Sequence, residues 1–315
     1  MQYILNFIIL IFLAFLYKYI AIRYKIIDKP NHRSSHATPT IRGGGILFLI
    51  AVWIFFFTSN FQYPLFCLGV SIIGVVSFVD DLITLSPKFR LPIQFLSVAL
   101  VFLELEFGVG LFIGLLIVSV LFINTYNFMD GINGITGFYS ITVLVGVFTV
   151  NYNEHIINSD LLIFSFLSLV VFGYFNFRRK AIMFAGDVGS ISIAMLVLFC
   201  VLFLMKSLAA PILLLLVVVY GVDALITMVY RVYLKEKITD AHRHHIYQKL
   251  VDTFKFSHLK ISSVYALIQL CINVIVFFNY KQSMQFQYVL LFSIICILIF
   301  LYIIVFIKNE KIKRA

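Results

Sequence analysis

Long apolar runs separated by short polar segments repeat along the whole chain. Eleven of these runs approach the about 20 apolar residues that a helix needs to cross a bilayer. They lie near residues 3–22, 43–59, 64–79, 91–107, 111–124, 134–150, 160–175, 188–205, 209–230, 259–279 and 287–307. The pattern predicts an all-α polytopic membrane protein with about eleven transmembrane helices, or ten if one of the shorter runs does not span.

The basic residues indicate which way the helices run. If the N-terminus is periplasmic, 22 of the 24 Lys and Arg residues fall in inner loops or at inner helix ends, which leaves only Lys206 and Lys281 outside. Cytoplasmic loops carry such an excess of positive charge. Because a miscounted helix would invert every later loop, the bias supports eleven spans. We therefore expect a cytoplasmic C-terminus and one integral membrane domain over residues 1–315.

The composition limits the classes of partner. Apolar residues make up 62% of the chain and charged residues 12%, against about 25% charged residues in a soluble domain. The net charge of +10 follows from the inner loops, so we expect membrane lipid around the chain and no nucleic-acid partner.

Two adjacent carboxylates, Asp80 and Asp81, stand at the inner end of the third apolar run. Ionisable residues at the edge of the bilayer are functional by default. Adjacent carboxylates suit a divalent cation, or one can act as a base while the other holds the metal. The alternative is that the pair merely ends the helix in water.

A polar segment rich in amides and glycine joins the fifth and sixth runs, over residues 124–134. Its carboxylate and amide groups could bind a metal, a nucleobase or a sugar, and its glycines permit close backbone approach. The alternative is an ordinary turn. The candidate residues are Asn124, Asn127, Asp130 and Asn133.

A glycine-framed carboxylate opens the eighth run, in the sequence Phe184-Ala185-Gly186-Asp187. Three basic residues, at positions 178–180, precede it. Asp187 could bind a metal, and it could equally cap the following helix. The two roles do not exclude each other.

The longest inner loop contains three clustered histidines: His242, His244 and His245. Imidazoles can hydrogen-bond phosphates or move protons, and the alternative is that they are simply solvated.

The first inner loop contains His36 and, directly before a run of three glycines, Arg42. Cations and glycines leading into a helix suit phosphate binding, whereas the alternative is a basic loop resting on anionic lipid.

These segments all fall on the predicted inner face. Taken in their order along the chain, they resemble the polyprenyl-phosphate N-acetylhexosamine-1-phosphate transferases (glycosyltransferase 4 family). The resemblance spans residues of about 28–250. The segment Arg33-Ser34-Ser35-His36 and the Arg42-Gly43-Gly44-Gly45 run are similar to the branch that initiates O-antigen and capsule chains.

The resemblance implies a reaction and its components. Undecaprenyl phosphate would attack the β-phosphate of a UDP-N-acetylhexosamine, giving undecaprenyl-diphospho-sugar and UMP, with Mg²⁺ or Mn²⁺ as the cofactor. It further implies a bacterial inner membrane location, a cytoplasmic active site and a homodimer. The implied roles are metal ligands Asp187 and Asp81; catalytic acids Asp80, Asp81 and Asp130; and substrate contacts Asn124, Asn127, Asn133, Phe184, His242, His244, His245, His36 and Arg42, with Phe184 stacking on uracil.

Two other functions compete with this one. Within the same family, the phospho-MurNAc-pentapeptide translocase of peptidoglycan synthesis is the main rival, and a C-terminus outside the cell would favour it. A polytopic transporter would place charges near the bilayer midplane, often in inverted repeats. Only Asp223 lies well inside a predicted span, and no repeat is evident.

Overall fold

The computed structural model describes residues 1–30, 38–237 and 243–314, and this part of the chain is almost entirely helical. A 3₁₀ segment, Pro211–Val217, leads directly into α9. Two short strands, β1 (Ile27–Asp28) and β2 (Thr40–Ile41), pair antiparallel. The helices are α1 Gln2–Arg23, α2 Ile46–Thr58, α3 Pro64–Ile83, α4 Pro87–Glu104, α5 Val109–Met129, α6 Ile135–Glu154, α7 Ser159–Asn176, α8 Gly186–Leu208, α9 Val218–Tyr233, α10 Ile246–Asp252, α11 His258–Asn279 and α12 Met284–Arg314.

Each of the eleven predicted runs corresponds to a helix, the ninth being the 3₁₀ segment together with α9. Within the described residues, eight helices are long and apolar enough to cross a membrane, and Ile46–Thr58 and Ile113–Met129 are shorter apolar helices. The predicted all-α, multi-pass membrane architecture is confirmed. One boundary differs: α2 begins at Ile46 rather than at residue 43. The glycines before it form backbone hydrogen bonds with the residues that precede α8 instead.

Helix α8 lies at the centre of the bundle, where it packs against α2, α3, α5 and α6. Most of its residues are buried. Its apolar surface therefore contacts protein, whereas α1 and α12 leave many large apolar side chains exposed, as helices facing lipid do. The start of α8, with Asp187 in its first turn, is consequently surrounded largely by protein.

The triple glycine allows the backbone before α2 to touch the start of α8. The amides of Gly44 and Gly45 donate to the carbonyls of Phe184 and Ala185 at 2.8 and 3.0 Å. A Cβ atom at Gly45 would lie 2.3 Å from the Cα of Gly189, a separation that real side chains do not tolerate. The glycines are thus required by backbone packing, and the contact brings the preceding residue, Arg42, to the start of α8.

We predict that Gly45→Ala destabilises the protein by about 1–3 kcal/mol, because the added methyl group must push two helix starts apart. The matched control is Gly221→Ala in α9, where a Cβ meets nothing within 4 Å and alanine favours the helix. Thermal unfolding of the detergent-solubilised protein checks this. Equal melting temperatures for the two variants would contradict the packing argument.

Candidate active site

Three carboxylates meet where the end of α3 contacts the start of α8. Asp81 accepts hydrogen bonds from the backbone amides of Asp187 (2.9 Å) and Val188 (3.0 Å). The first amides of a helix have no partner within the helix and carry partial positive charge, so a carboxylate is favoured there. Asp80 and Asp81 are both buried, which excludes the interpretation that they only end α3 in water.

Two arginines hold this acid cluster, defined as Asp80, Asp81 and Asp187. Arg42 contacts Asp81 at 2.5 Å and Asp187 at 3.2 Å. Arg90, at the start of α4, contacts Asp80 at 2.6 Å and Asp187 at 3.5 Å. Burial alone would lower the pKa of Arg42, but Asp81 and Asp187 raise it overall. Each arginine therefore bridges α8 to another element, and Asp187 lies between the two.

The segment 124–134 lies beside this cluster. The Ser190 hydroxyl, one turn after Asp187 in α8, donates to Asn127 Oδ1 at 2.8 Å. Asn124 exchanges hydrogen bonds with Gln94 of α4, at 2.7 and 3.3 Å, and so ties two helices together. Of these two predicted substrate contacts, Asn127 is thus connected to the acid cluster and Asn124 to a neighbouring helix.

Asn133 fastens the same segment to the loop before α8. Its Nδ2 donates to the carbonyls of Arg178 (2.9 Å) and Arg179 (3.1 Å). Beside it, the amide of Gly134 donates to Asn176 Oδ1 at 2.7 Å, and Asn176 Nδ2 donates onward to Met183 O at 2.8 Å. These amide side chains hold two loops at a fixed distance from each other.

A cavity of about 540 Å³ opens between these two loops. An aromatic ring, basic residues, hydroxyl groups and a histidine surround it, a combination that suits a base stacked on a ring and phosphates near cations. Its lining is Thr38, Thr40, Asn133, Arg179, Lys180, Ala181, Phe184, Ser257, His258 and Leu259. Two predicted substrate contacts, Asn133 and Phe184, therefore share one cavity.

The histidine residues occupy different surroundings. His244 Nε2 lies 3.0 Å from Glu236 Oε1, and His245 is buried against α9 with its Nδ1 3.0 Å from Asp223 Oδ1. His36 and His242, both predicted as substrate contacts, lie outside the described residues.

Asp130 follows the end of α5, and the neighbouring Gly131 lies against α10. A Cβ at Gly131 would come 2.1 Å from the Tyr247 hydroxyl, which itself donates to Phe128 O at 3.0 Å. Part of Asp130 is accessible to solvent, yet burial of its carboxyl group raises the pKa of Asp130 to about 6. Asp130 can therefore change protonation state near neutral pH.

The donor set fits a magnesium ion that completes its shell on a substrate. Mg²⁺ commonly uses one or two carboxylates together with substrate phosphates. Asp187 is the best-placed candidate ligand, because its side chain is the most exposed of the three acids, whereas both oxygens of Asp81 accept helix amides. Among the described residues, no group of three or more His, Cys, Asp or Glu side chains is arranged to hold a metal alone.

Sequence patterns alone did not identify several residues of this site. In the sequence, Arg90 contributed only to the positive charge of an inner loop. In the structure it contacts two of the three acids. Gln94, Ser190 and Tyr247 also gave no separate signal, but they secure the segment 124–134. The spacing of Arg90 and Gln94, which places them on one face of α4, is the signal that would have identified that pair.

The part of the chain that holds this site matches a known family. Residues 63–205, which include the acid cluster and the segment 124–134, match the family described as glycosyl transferase family 4. Phospho-N-acetylmuramoyl-pentapeptide-transferase of Streptococcus pneumoniae (strain Taiwan19F-14) is 29% identical over 198 residues, covering 53% of this chain and 59% of that protein. The corresponding enzyme of Streptococcus gordonii is 30% identical over 201 residues, with coverage of 53% and 60%.

A differently named relative matches at a similar level. Undecaprenyl-phosphate alpha-N-acetylglucosaminyl 1-phosphate transferase of Yersinia pestis is 28% identical over 213 residues, covering 59% of this chain and 58% of that protein. The chain thus spans about three fifths of the length of these relatives. The predicted family resemblance is confirmed, and it extends to relatives with two different sugar substrates in their names.

We predict that Arg90→Ala lowers turnover by about 100-fold, because it removes a preorganised cation and leaves buried Asp80 without its partner. Arg23→Ala is the matched control, since that side chain is exposed at the end of α1 and contacts Tyr19. Steady-state kinetics in membranes of equal protein content check the prediction. Similar turnover in the two variants would show that Arg90 has no part in the site.

We also predict a pH dependence from Asp130. Its pKa of about 6 is above the ordinary value of 3.8, so the carboxylate forms as the pH rises through about 6. If the ionised form is the active one, kcat/KM falls below that pH, and Asp130→Asn removes this acid limb from the residual activity. A pH–rate profile of both proteins measures it. An unchanged limb in Asp130→Asn would assign it to another group.

Proposed function

We propose that this protein transfers a HexNAc-1-phosphate group from a UDP-N-acetylhexosamine to undecaprenyl phosphate, the first membrane step of a surface polysaccharide. The observation that carries the proposal is the acid cluster, held by Arg42 and Arg90 beside a cavity that suits a nucleotide. An oxygen of the lipid phosphate would attack the β-phosphorus of the UDP-sugar. The bond from that phosphorus to the bridging oxygen would break, and UMP would leave.

The cavity is the proposed site of the nucleotide. Phe184 would stack on the uracil, and the side chains of Arg179 and Lys180 would attract the phosphates. Because the hydrogen bonds of Asn133 and Asn176 already fix the two loops, the cavity exists before the substrate arrives. Little ordering is then needed on binding, which favours affinity.

The acid cluster is the proposed site of phosphoryl transfer. Mg²⁺, held by Asp187 and the diphosphate, would neutralise charge on the leaving UMP. Arg42 and Arg90 would lie against the oxygens of the two phosphates, where fixed cations stabilise the charge that spreads during transfer. Asp80 would hold or deprotonate the lipid phosphate, while Asp81 keeps the start of α8 in place.

The lipid substrate needs a path from the bilayer to Asp80. Leu82, Ile83 and Phe89 lie at the junction of α3 and α4 and are exposed. Large apolar side chains beside a charged site allow a phosphate to enter the cluster while its isoprenoid chain remains in the membrane. The location that we propose is accordingly the inner face of a bacterial plasma membrane.

A second candidate is phospho-MurNAc-pentapeptide transfer in peptidoglycan synthesis, because relatives of that name match at similar identity. The run Arg42-Gly43-Gly44-Gly45 resembles the polysaccharide branch, and this resemblance is the reason for preferring that branch. A transporter is disfavoured, because the acid cluster lies at helix ends rather than in the middle of the bundle. The two transferases differ in the sugar nucleotide that they consume.

We predict that membranes containing the protein release UMP from a UDP-N-acetylhexosamine only when undecaprenyl phosphate and Mg²⁺ are both added. Asp187→Asn should lower the rate by at least about 100-fold, because it removes the main metal ligand. The matched control is Asp252→Asn, which removes an exposed partner of Arg243. A panel of UDP-sugars that includes UDP-MurNAc-pentapeptide tests the branch. Full activity in Asp187→Asn would overturn the metal assignment.

A further inference from the structure

A second buried carboxylate lies outside the acid cluster, in the middle of α9. Asp223 is fully buried. Its Oδ2 accepts a hydrogen bond from the Tyr265 hydroxyl of α11 at 2.6 Å, and its Oδ1 accepts one from the backbone amide of Ile246 at 3.2 Å. A buried charge is costly unless it is fully hydrogen-bonded. Asp223 meets that condition, and the proposed reaction has so far given it no role.

Two further groups contact this carboxylate, a hydroxyl and an imidazole. The Thr227 hydroxyl donates to Asp223 Oδ1 at 3.3 Å. His245 Nδ1 lies 3.0 Å from Asp223 Oδ1. The His245 side chain also forms a capping box with Gln248, in which it would accept from a backbone amide. An ionised carboxylate only accepts, so a lone pair on Nδ1 would face it repulsively. Hydrogen bonds to a charged group are about twice as strong as neutral ones. The carboxylate therefore favours the tautomer in which Nδ1 carries the proton.

The face of the His245 ring is also in contact with an aromatic side chain. It stacks on Tyr247, with centroids 5.7 Å apart and an angle of 23° between the ring planes. The hydroxyl of Tyr247 donates to Phe128 O, two residues before Asp130. Asp223 and Tyr247 thus hold one imidazole between α9 and the segment 124–134.

We propose that Asp223 is a positioning residue that keeps the proton of His245 on Nδ1 and thereby leaves Nε2 as the nitrogen that accepts a proton or a hydrogen bond from the substrate. The inference rests on the proposed function, in which His245 contacts the substrate. Asp223 itself does not touch the substrate and acts only through the imidazole. A carboxylate that orients a histidine in this way commonly affects activity by about 10- to 100-fold.

A double-mutant cycle tests whether Asp223 acts through His245. We expect Asp223→Asn to lower kcat by about 10- to 100-fold with little change in the KM of the nucleotide sugar. In a His245→Gln background the same substitution should change kcat by less than about twofold. Tyr265→Phe is the matched control, because it removes the bond to the other oxygen of Asp223 and leaves the contact between Asp223 and His245 in place. A loss of the same factor in both backgrounds would overturn the proposal in favour of a purely structural role.

A second measurement does not depend on turnover. In ¹⁵N-histidine-labelled protein in liposomes, the signals of His245 are those missing from His245→Gln. We expect a protonated Nδ1 whose resonance changes in Asp223→Asn and stays unchanged in Tyr265→Phe. An unprotonated Nδ1, or identical signals in Asp223→Asn, would refute the inference. If the wild-type protein releases no UMP, the proposed function fails, and this spectrum still decides the role of Asp223.

Discussion

The contact between Asp81 and the first amides of α8 is the constraint on which the rest of the site depends. A carboxylate at the end of one buried helix satisfies the start of another, and both groups would otherwise be expensive inside a membrane protein. This contact brings Asp187 beside Asp80. It also creates a concentration of negative charge that Arg42 and Arg90 must balance. The glycines before α2 follow from the same geometry, because Arg42 can reach α8 only along a backbone without side chains.

The polar groups at this end of the bundle form two linked layers. The acid cluster lies where the end of α3 meets the start of α8. The cavity lies between the loop before α8 and the segment 124–134. Asn133 and Asn176 join the two loops through backbone carbonyls and amides rather than through a substrate. The same side chains thus give the site its shape, and the charged groups next to them supply its chemistry. Asp223 and His245 extend the arrangement to α9 and α11.

Much of this architecture could be predicted from the sequence, because bilayer thickness fixes helix length and polar residues at the ends of apolar runs are conspicuous. The segments containing Asp80, Asp130 and Asp187 were identified in this way. Contacts between distant residues could not be predicted, since Arg90 has no unusual neighbours in sequence and acquires a role only when α4 meets α8. In the same way, the hydrogen bond between Asn124 and Gln94 joins two helices and could not be predicted from the sequence.

We propose that one divalent cation binds between Asp187 and a bound diphosphate. Electron paramagnetic resonance of Mn²⁺ added with UDP to the purified protein tests it most directly. The account predicts tightly bound Mn²⁺ with coupling to phosphorus nuclei in the wild-type protein, and free Mn²⁺ in Asp187→Asn or when UDP is omitted. Bound Mn²⁺ with the same phosphorus coupling in Asp187→Asn would contradict the account.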